Sequence, residues 1–421
     1  MSVHQFVAHF LRKEGYNDTL KAFENEHGKP IPAELPHQED LSDIINDRLK
    51  YLSIEEKPQS SHEILLSEEL KELKRAQFKE WSAPYPRAAK ELSSVKELAV
   101  ASAVFEKDGK KYGIFASAKM ELSVMDLDLD SGELVVSVPR VIGPVVVRRL
   151  QVVGSTVLLC GMNGKLYMGR FNDDMSEFEI FHEKQLHSKL IAEMVVVSWN
   201  KKDYLVSVGW DLLVKVHELS DTSLEEAFEP YTISNRGLCM DACVYQDQLV
   251  ILLGKSEMTL MDVLTVKEGK VELAFKIALN DAEFSAAGFS PHAIKIYNGG
   301  PVPLVAVGTS HEPYMRLVLV SLKEFGKEGD SIRRNQIITN INSMSPQDKF
   351  SQALITWRPD GSGVWVFGED GTVRGIDLLK EEVAVELKKC QNRIKSFGEY
   401  KDSLLVCDTN REVVLWTHEQ K

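Results

Sequence analysis

Residues able to do chemistry are present in this chain, but they are not gathered into a recognisable site. The eleven histidines do not cluster, and His182 and His187, which flank one loop, read as solvated connector residues. Asp126-Leu127-Asp128-Leu129-Asp130 places carboxylates at alternate positions, as half of a calcium loop would. The glycine and bidentate glutamate such a loop needs are absent at the right offsets, so the segment reads as an acidic turn ending a strand. Five cysteines, Cys160, Cys239, Cys243, Cys390 and Cys407, include no C-x-x-C pair. Cys239 and Cys243 are the closest two, and with no histidine or third cysteine beside them they read as reduced buried thiols. The sequence lacks a Gly-x-Ser-x-Gly elbow, a phosphate loop, an H-E-x-x-H helix and a dinucleotide fingerprint. With 63 acidic residues, near pairs of carboxylates arise by chance and carry no acid–base argument. No catalytic residue, metal or cofactor is expected.

The elements that would position any site begin with a helical pair. Val3, Phe6, Val7, Phe10 and Leu11 fall at i, i+3, i+4, i+7 and i+8, one apolar stripe at the helical period. Gly15 stops that helix, Asn17 or Asp18 can cap the next, and Leu20 and Phe23 continue an apolar face until Gly28, Pro30 and Pro32 end it. Helices this short are marginal alone, because an isolated helix needs about 12–15 residues to persist in water. Residues 39–52 then place Leu41, Ile44, Ile45, Leu49 and Leu52 on a third stripe, and Glu63 to Lys79 form a fourth helical stretch with Leu66, Leu70 and Leu73 at its spacing. Packing on its own protomer, extending a dimer and crossing to a partner are all open to this last helix. Trp81-Ser82-Ala83-Pro84-Tyr85-Pro86 cannot stay helical, and the domain boundary is placed there.

From about residue 93 the apolar period changes to alternation. In Phe350 to Leu379 three strands are separated by Pro359-Asp360-Gly361 and Glu369-Asp370-Gly371, and Asp-Gly between alternating apolar residues is a strong hairpin signal. Tyr204 to Leu219 turns at Trp210-Asp211, Leu404 to His418 at Asp408-Thr409-Asn410, and Leu158 to Phe171 at Asn163-Gly164.

Both halves resemble known families. Val3, Val7, Phe10, Leu11, Gly15, Tyr16, Thr19, Leu20, Phe23 and Glu26 match the lissencephaly-type homology motif, LisH. That resemblance implies a homodimer seam made by Val3, Phe6, Val7, Phe10, Leu11, Tyr16, Leu20 and Phe23. The strand grammar resembles WD repeats and implies a mainly β fold, a seven-bladed propeller with blades centred near Lys119, Gly164, Trp210, Ser256, Ser310, Asp370 and Asn410. The expected domains are a LisH motif over 1–35, a helical extension and linker over 36–86, and the propeller over 87–421. Residues 325–349, between the fifth and sixth blades, are expected to be a polar surface loop with a stray strand. No Gly-His dipeptide occurs, and Met125-Asp126, Met261-Asp262 and Ile376-Asp377 stand where Trp-Asp would. The resemblance then implies that the buried Asp–His network stiffening such blades is lost. Because the last strand ends near Trp416, a segment around Ala88 to Val95 is expected to close the ring.

The net charge of -13 argues against nucleic acid or an anionic membrane as a direct partner and favours basic protein faces. No apolar run reaches the roughly 20 residues a membrane helix needs, and no secretory signal opens the chain, so a cytoplasmic or nuclear location is expected. The function that follows is a non-catalytic homodimeric scaffold or adaptor, whose propellers hold other proteins through exposed aromatics such as Trp199, Trp210 and Tyr314. The alternative is a propeller enzyme with its site in the central channel or on the upper face.

Overall fold

Alternating apolar residues between tight turns leave each strand with two faces to cover, and in this protein neighbouring sheets cover them. A computed structural model describes residues 3–32, 41, 66–92, 95–129, 132–280 and 288–418. The chain divides into two compact units, residues 1–66 and 67–421.

In the first unit α1 (Val3–Lys13) and α2 (Asn17–His27) form a hairpin. Gly15 supplies the left-handed turn between them at φ 81°, and Gly28 at φ 75° ends α2 by donating its N–H to the carbonyls of Glu24 and Asn25. The core of this hairpin is small: Ala8, Leu20 and Ile31 are buried, with Leu11 and Phe23 packed against them. Arg12 reaches Glu24 at 3.3 Å, and the Ile31 N–H donates to the same carboxylate at 3.4 Å. The expected third helix, residues 39–52, lies outside the described residues apart from Leu41.

The second unit is a ring of seven antiparallel blades. Their inner strands are Ala99–Lys107, Val147–Val153, Ile191–Trp199, Gly237–Tyr245, Pro291–Tyr297, Ile355–Trp357 and Ile394–Tyr400. All seven expected blade centres fall in the turn between a blade's second and third strands. Apolar clusters lie between neighbouring blades: Ile114, Val124, Val157 and Leu159 join the first pair, and Val250, Val263, Val305 and Val318 join the fourth to the fifth. Ala88–Leu92 pairs with the last strand, Val413–Thr417, from Ala88↔Thr417 to Leu92↔Val413, so the ring is closed by the segment expected to close it. Leu92, Phe115, Met125, Leu405 and Cys407 then seal the seventh blade against the first.

Two expectations change. Residues 325–349 are more than a surface loop: Ile337–Pro346 is the outer strand of the fifth blade, and Ile332–Arg333 pairs in parallel with the outer strand of the fourth. Ile337, Ile338 and Ile341 are buried there, which is why this otherwise polar stretch joins a sheet. The boundary expected near Trp81–Pro86 lies inside the second unit, because α3 (Glu68–Gln77) and the strap after it are packed on the propeller. Ser67 caps α3 by accepting from the Leu70 N–H, while Leu70, Leu73 and Gln77 are buried. Lys74 pairs with Glu381 at 2.6 Å, and Lys323 pairs with Glu69, so α3 packs on its own protomer's blades.

Candidate functional site

Two surfaces could bind something: the face of the N-terminal hairpin and the mouth of the propeller channel. In the hairpin Leu20 is buried, Leu11 and Phe23 are half-buried against its small core, and Phe6, Val7 and Phe10 are half-buried. Tyr16 is 55% exposed, with its ring 6.4 Å from that of Phe10. Of the expected seam, Leu11, Leu20 and Phe23 therefore hold the hairpin together, and Phe6, Val7, Phe10 and Tyr16 form an aromatic-rich face outside that core. Nothing is described of the Val3 side chain.

Inner strands from all seven blades line a central cavity of about 460 Å³. Six of them carry an irregularity at their second residue, where two residues oppose one on the neighbouring strand. Such bulges re-aim a side chain. The six extra residues are Val100, Arg148, Ala192, Leu238, His292 and Lys395, and every one lines the cavity. Arg149 pairs with Glu193 at 2.8 Å, and Lys395 donates to the Gln352 side chain at 3.1 Å. Burial, with Arg149 beside it, pushes Arg148 down to about 10. Burial lowers Lys395 as well, helped by Arg148 and Arg393. Trp210 (42% exposed) and Phe350 (72% exposed) reach the mouth, with Arg236 and Lys349 over their rings.

The sequence did not flag this ring. Its signal is a cation or histidine second in a strand that otherwise opens apolar, as in Val147-Arg148, Pro291-His292 and Ile394-Lys395. The three aromatics singled out from sequence do not converge. Trp210 stands at the channel mouth. Trp199 ends the same blade's inner strand at the opposite face, donating its indole N–H to the Asp247 carbonyl and packing on Tyr204 and Phe228. Tyr314 opens the third strand of the fifth blade and is 39% exposed. The Asp126 carboxylate accepts from the Asp128 N–H at 2.9 Å, a local turn bond.

His187 is neither solvated nor without a network. It is 1% exposed, with Nδ1 at 2.8 Å from Asp211 and Nε2 at 2.9 Å from Ser207. Burial holds its imidazole below the ordinary range, so the neutral ring accepts from Ser207 and donates to Asp211, whose carboxyl is lowered by His187 against the raising effect of burial. The third blade thus keeps the Asp–His tie, although Leu186 stands where a glycine would precede the histidine and His217-Glu218 where Trp-Asp would end the third strand. The order Ser–His–Asp is that of a hydrolytic triad, yet Ser207 is fully buried and no carbonyl carbon can reach its Oγ. Other blades tie the same turn differently. Arg374 grips Asp370 with two bonds of 2.9 and 2.6 Å, and Lys255 meets Asp262 at 2.5 Å.

Buried neutral histidines give the fold an acid limit. Burial lowers His187, and burial with Lys184 nearby lowers His217 to about 4, as burial with Arg316 nearby does for His311. Their folded values lie below the unfolded one of about 6.5, so below that pH the unfolded chain takes up protons first. Stability is full above pH ~6.5 and falls as the pH drops below it, for His217 and His311 down to ~4, by on the order of 1.4 kcal/mol per pH unit for each of those two histidines, with His187 acting in the same direction. Urea unfolding at pH 7.5, 6 and 5 should show that slope, and His217→Asn should flatten it.

The fold and its appended hairpin define a class, the LisH-bearing seven-bladed propeller, which is a protein-interaction architecture. The chain belongs to the UCP007778 family: the model of that family's beta-propeller domain matches residues 63–417, and the model of its LisH domain matches residues 1–34. It is similar to a Saccharomyces cerevisiae protein, Uncharacterized protein YGR117C, with 24% identity over 459 aligned positions covering 94% of this chain and 93% of the yeast protein.

Proposed function

We propose that this protein is a non-catalytic homodimeric scaffold, pairing through its LisH hairpin and offering two propellers to partner proteins within a larger complex. The observation that carries the reading is the hairpin face: Phe6, Val7, Phe10 and Tyr16 lie outside a small core in which, among the described residues, Ala8, Leu20 and Ile31 are buried, an excess of apolar surface that a second copy would cover. Pairing would raise the effective concentration of the second propeller, so two weak contacts act as one strong one. A cytoplasmic or nuclear setting is part of the proposal. It is supported by five free, buried cysteines, whose thiols burial pushes up, to about 12 for Cys243, Cys390 and Cys407. The acidic surface favours basic partner faces there, with the channel mouth as a local exception.

The test is sedimentation equilibrium of the full chain against a Phe6→Glu/Phe10→Glu variant. Wild type should sediment at twice the chain mass and the variant at the chain mass, a dimer dissociation constant weakened by at least roughly a hundredfold. Wild type that stays monomeric at every concentration would end the scaffold reading in this form.

A further inference from the structure

The channel mouth combines three features that no folding role accounts for. Arg148, His292 and Lys395 are all bulge residues, turned into one cavity from the second, fifth and seventh blades. Among the described residues no carboxylate pairs with Arg148 or Lys395. Glu193 is held by Arg149, and Glu369, near Lys395, is held by Arg393. Lys295, deeper in the channel, has Asp241 beside it. A chain with 63 acidic and 50 basic residues thus leaves two cations lining one partly buried space with no ion-pair partner among the described residues.

We propose that this mouth is an oxyanion site that takes a phosphate-class group, held between Arg148 and Lys395 with His292 as a neutral donor opposite. Arg148 and Lys395 stand on blades separated by the first blade, and His292 approaches from across the ring. The ligand must therefore offer acceptor oxygens in several directions and about two negative charges. A tetrahedral phosphate does both, whereas a carboxylate has two oxygens in one plane. The cavity of about 460 Å³ accommodates a phosphorylated small molecule or a phosphorylated side chain. Trp210 and Phe350 at the rim would flank whatever carries the phosphate.

The test uses the full chain at fixed ionic strength, titrated by calorimetry with inorganic pyrophosphate and, separately, with a short capped phosphoserine peptide, against sodium chloride as control. Saturable binding of one anion per propeller is expected. Arg148→Gln and Lys395→Gln should each weaken it at least tenfold, while Lys110→Gln, at the far end of the first blade, leaves it unchanged. Without ligand neither channel variant should lower the melting temperature, because each removes a like-charge repulsion; a purely structural role would lower it. The two probes separate the sources: tighter pyrophosphate indicates a free small molecule, a tighter peptide indicates a partner chain, and equal affinities indicate recognition of the phosphate alone. Absence of saturable binding, or equal binding by wild type and an Arg148→Gln/Lys395→Gln double variant, overturns the proposal. The Phe6→Glu/Phe10→Glu variant should bind as wild type does, so this site can stand or fall apart from pairing.

Discussion

Trp81→Ala should cost the propeller about 3–5 kcal/mol, the range for a large aromatic removed from a packed site. Trp81 is 8% exposed although it precedes the first strand of the ring. Its ring lies edge-on to Trp365 at 4.9 Å, Arg358 stacks over it at 4.4 Å, and its backbone N–H donates to the Asp377 carboxylate at 3.3 Å. Arg358 also donates to the carbonyls of Ser82 and Pro84 at 3.0 and 2.9 Å, so one guanidinium holds both the ring and the strap. Room for the indole is made on the sixth blade by two glycines. A Cβ on Gly363 would come within 2.4 Å of the ring, and one on Gly375 within 2.3 Å. Gly375→Val should therefore reproduce the loss from the other side of the contact, and combining it with Trp81→Ala should add little, since both break one interaction. Thermal and urea unfolding of the three variants measure this. A loss below about 0.5 kcal/mol for Trp81→Ala would mean the segment is a linker after all.

That strap marks where the sequence stops being informative. The seven blades are legible because each is built locally: Asp-Gly and Asn-Gly turns set hairpins whose strands are neighbours in the chain. Ring closure is legible by elimination, since a propeller ending at Trp416 needs an outer strand from elsewhere. Trp81 is not legible, because its burial depends on glycines nearly three hundred residues away, and the prolines after it carry the same signal in a linker as in a docked strap. The outer strand of the fifth blade was hidden for a related reason. Its apolar positions, Ile337, Ile338 and Ile341, sit within a polar stretch that reads as loop until the neighbouring strand is in place. His187 shows a different failure: the dipeptide that would announce it lost its glycine, while the histidine, the aspartate 24 residues on and the serine between them stayed. The channel cations depend on bulges, and a bulge has no pattern in a single sequence beyond one polar residue out of phase.

Asp262→Ala should be comparably damaging, at about 3–5 kcal/mol, for an electrostatic reason. Lys255 and Asp262 are 2% and 1% exposed at the side chain and meet at 2.5 Å within the fourth blade, where they tie the turn that His187 and Asp211 tie in the third. Among the described residues the side-chain hydrogen bonding is confined to the pair: Asp262 Oδ1 has no partner, and Lys255 Nζ donates to Oδ2. Removing the carboxylate leaves an ammonium in an apolar wall formed in part by Leu253, Leu264 and Ile251, and an unpaired buried charge costs far more than the pair contributes. The converse experiment separates that account from simple loss of packing. A Lys255→Met/Asp262→Leu double variant removes both charges at similar volume and should recover most of the stability, ending within about 1 kcal/mol of wild type or above it. If the double variant is as unstable as Asp262→Ala, the pair is a packing or register element and the charge argument fails. Recovery would mean that the polar tie in a blade of this family is replaceable by apolar contact, which is the physical condition under which a propeller can lose its repeat signature and keep its ring.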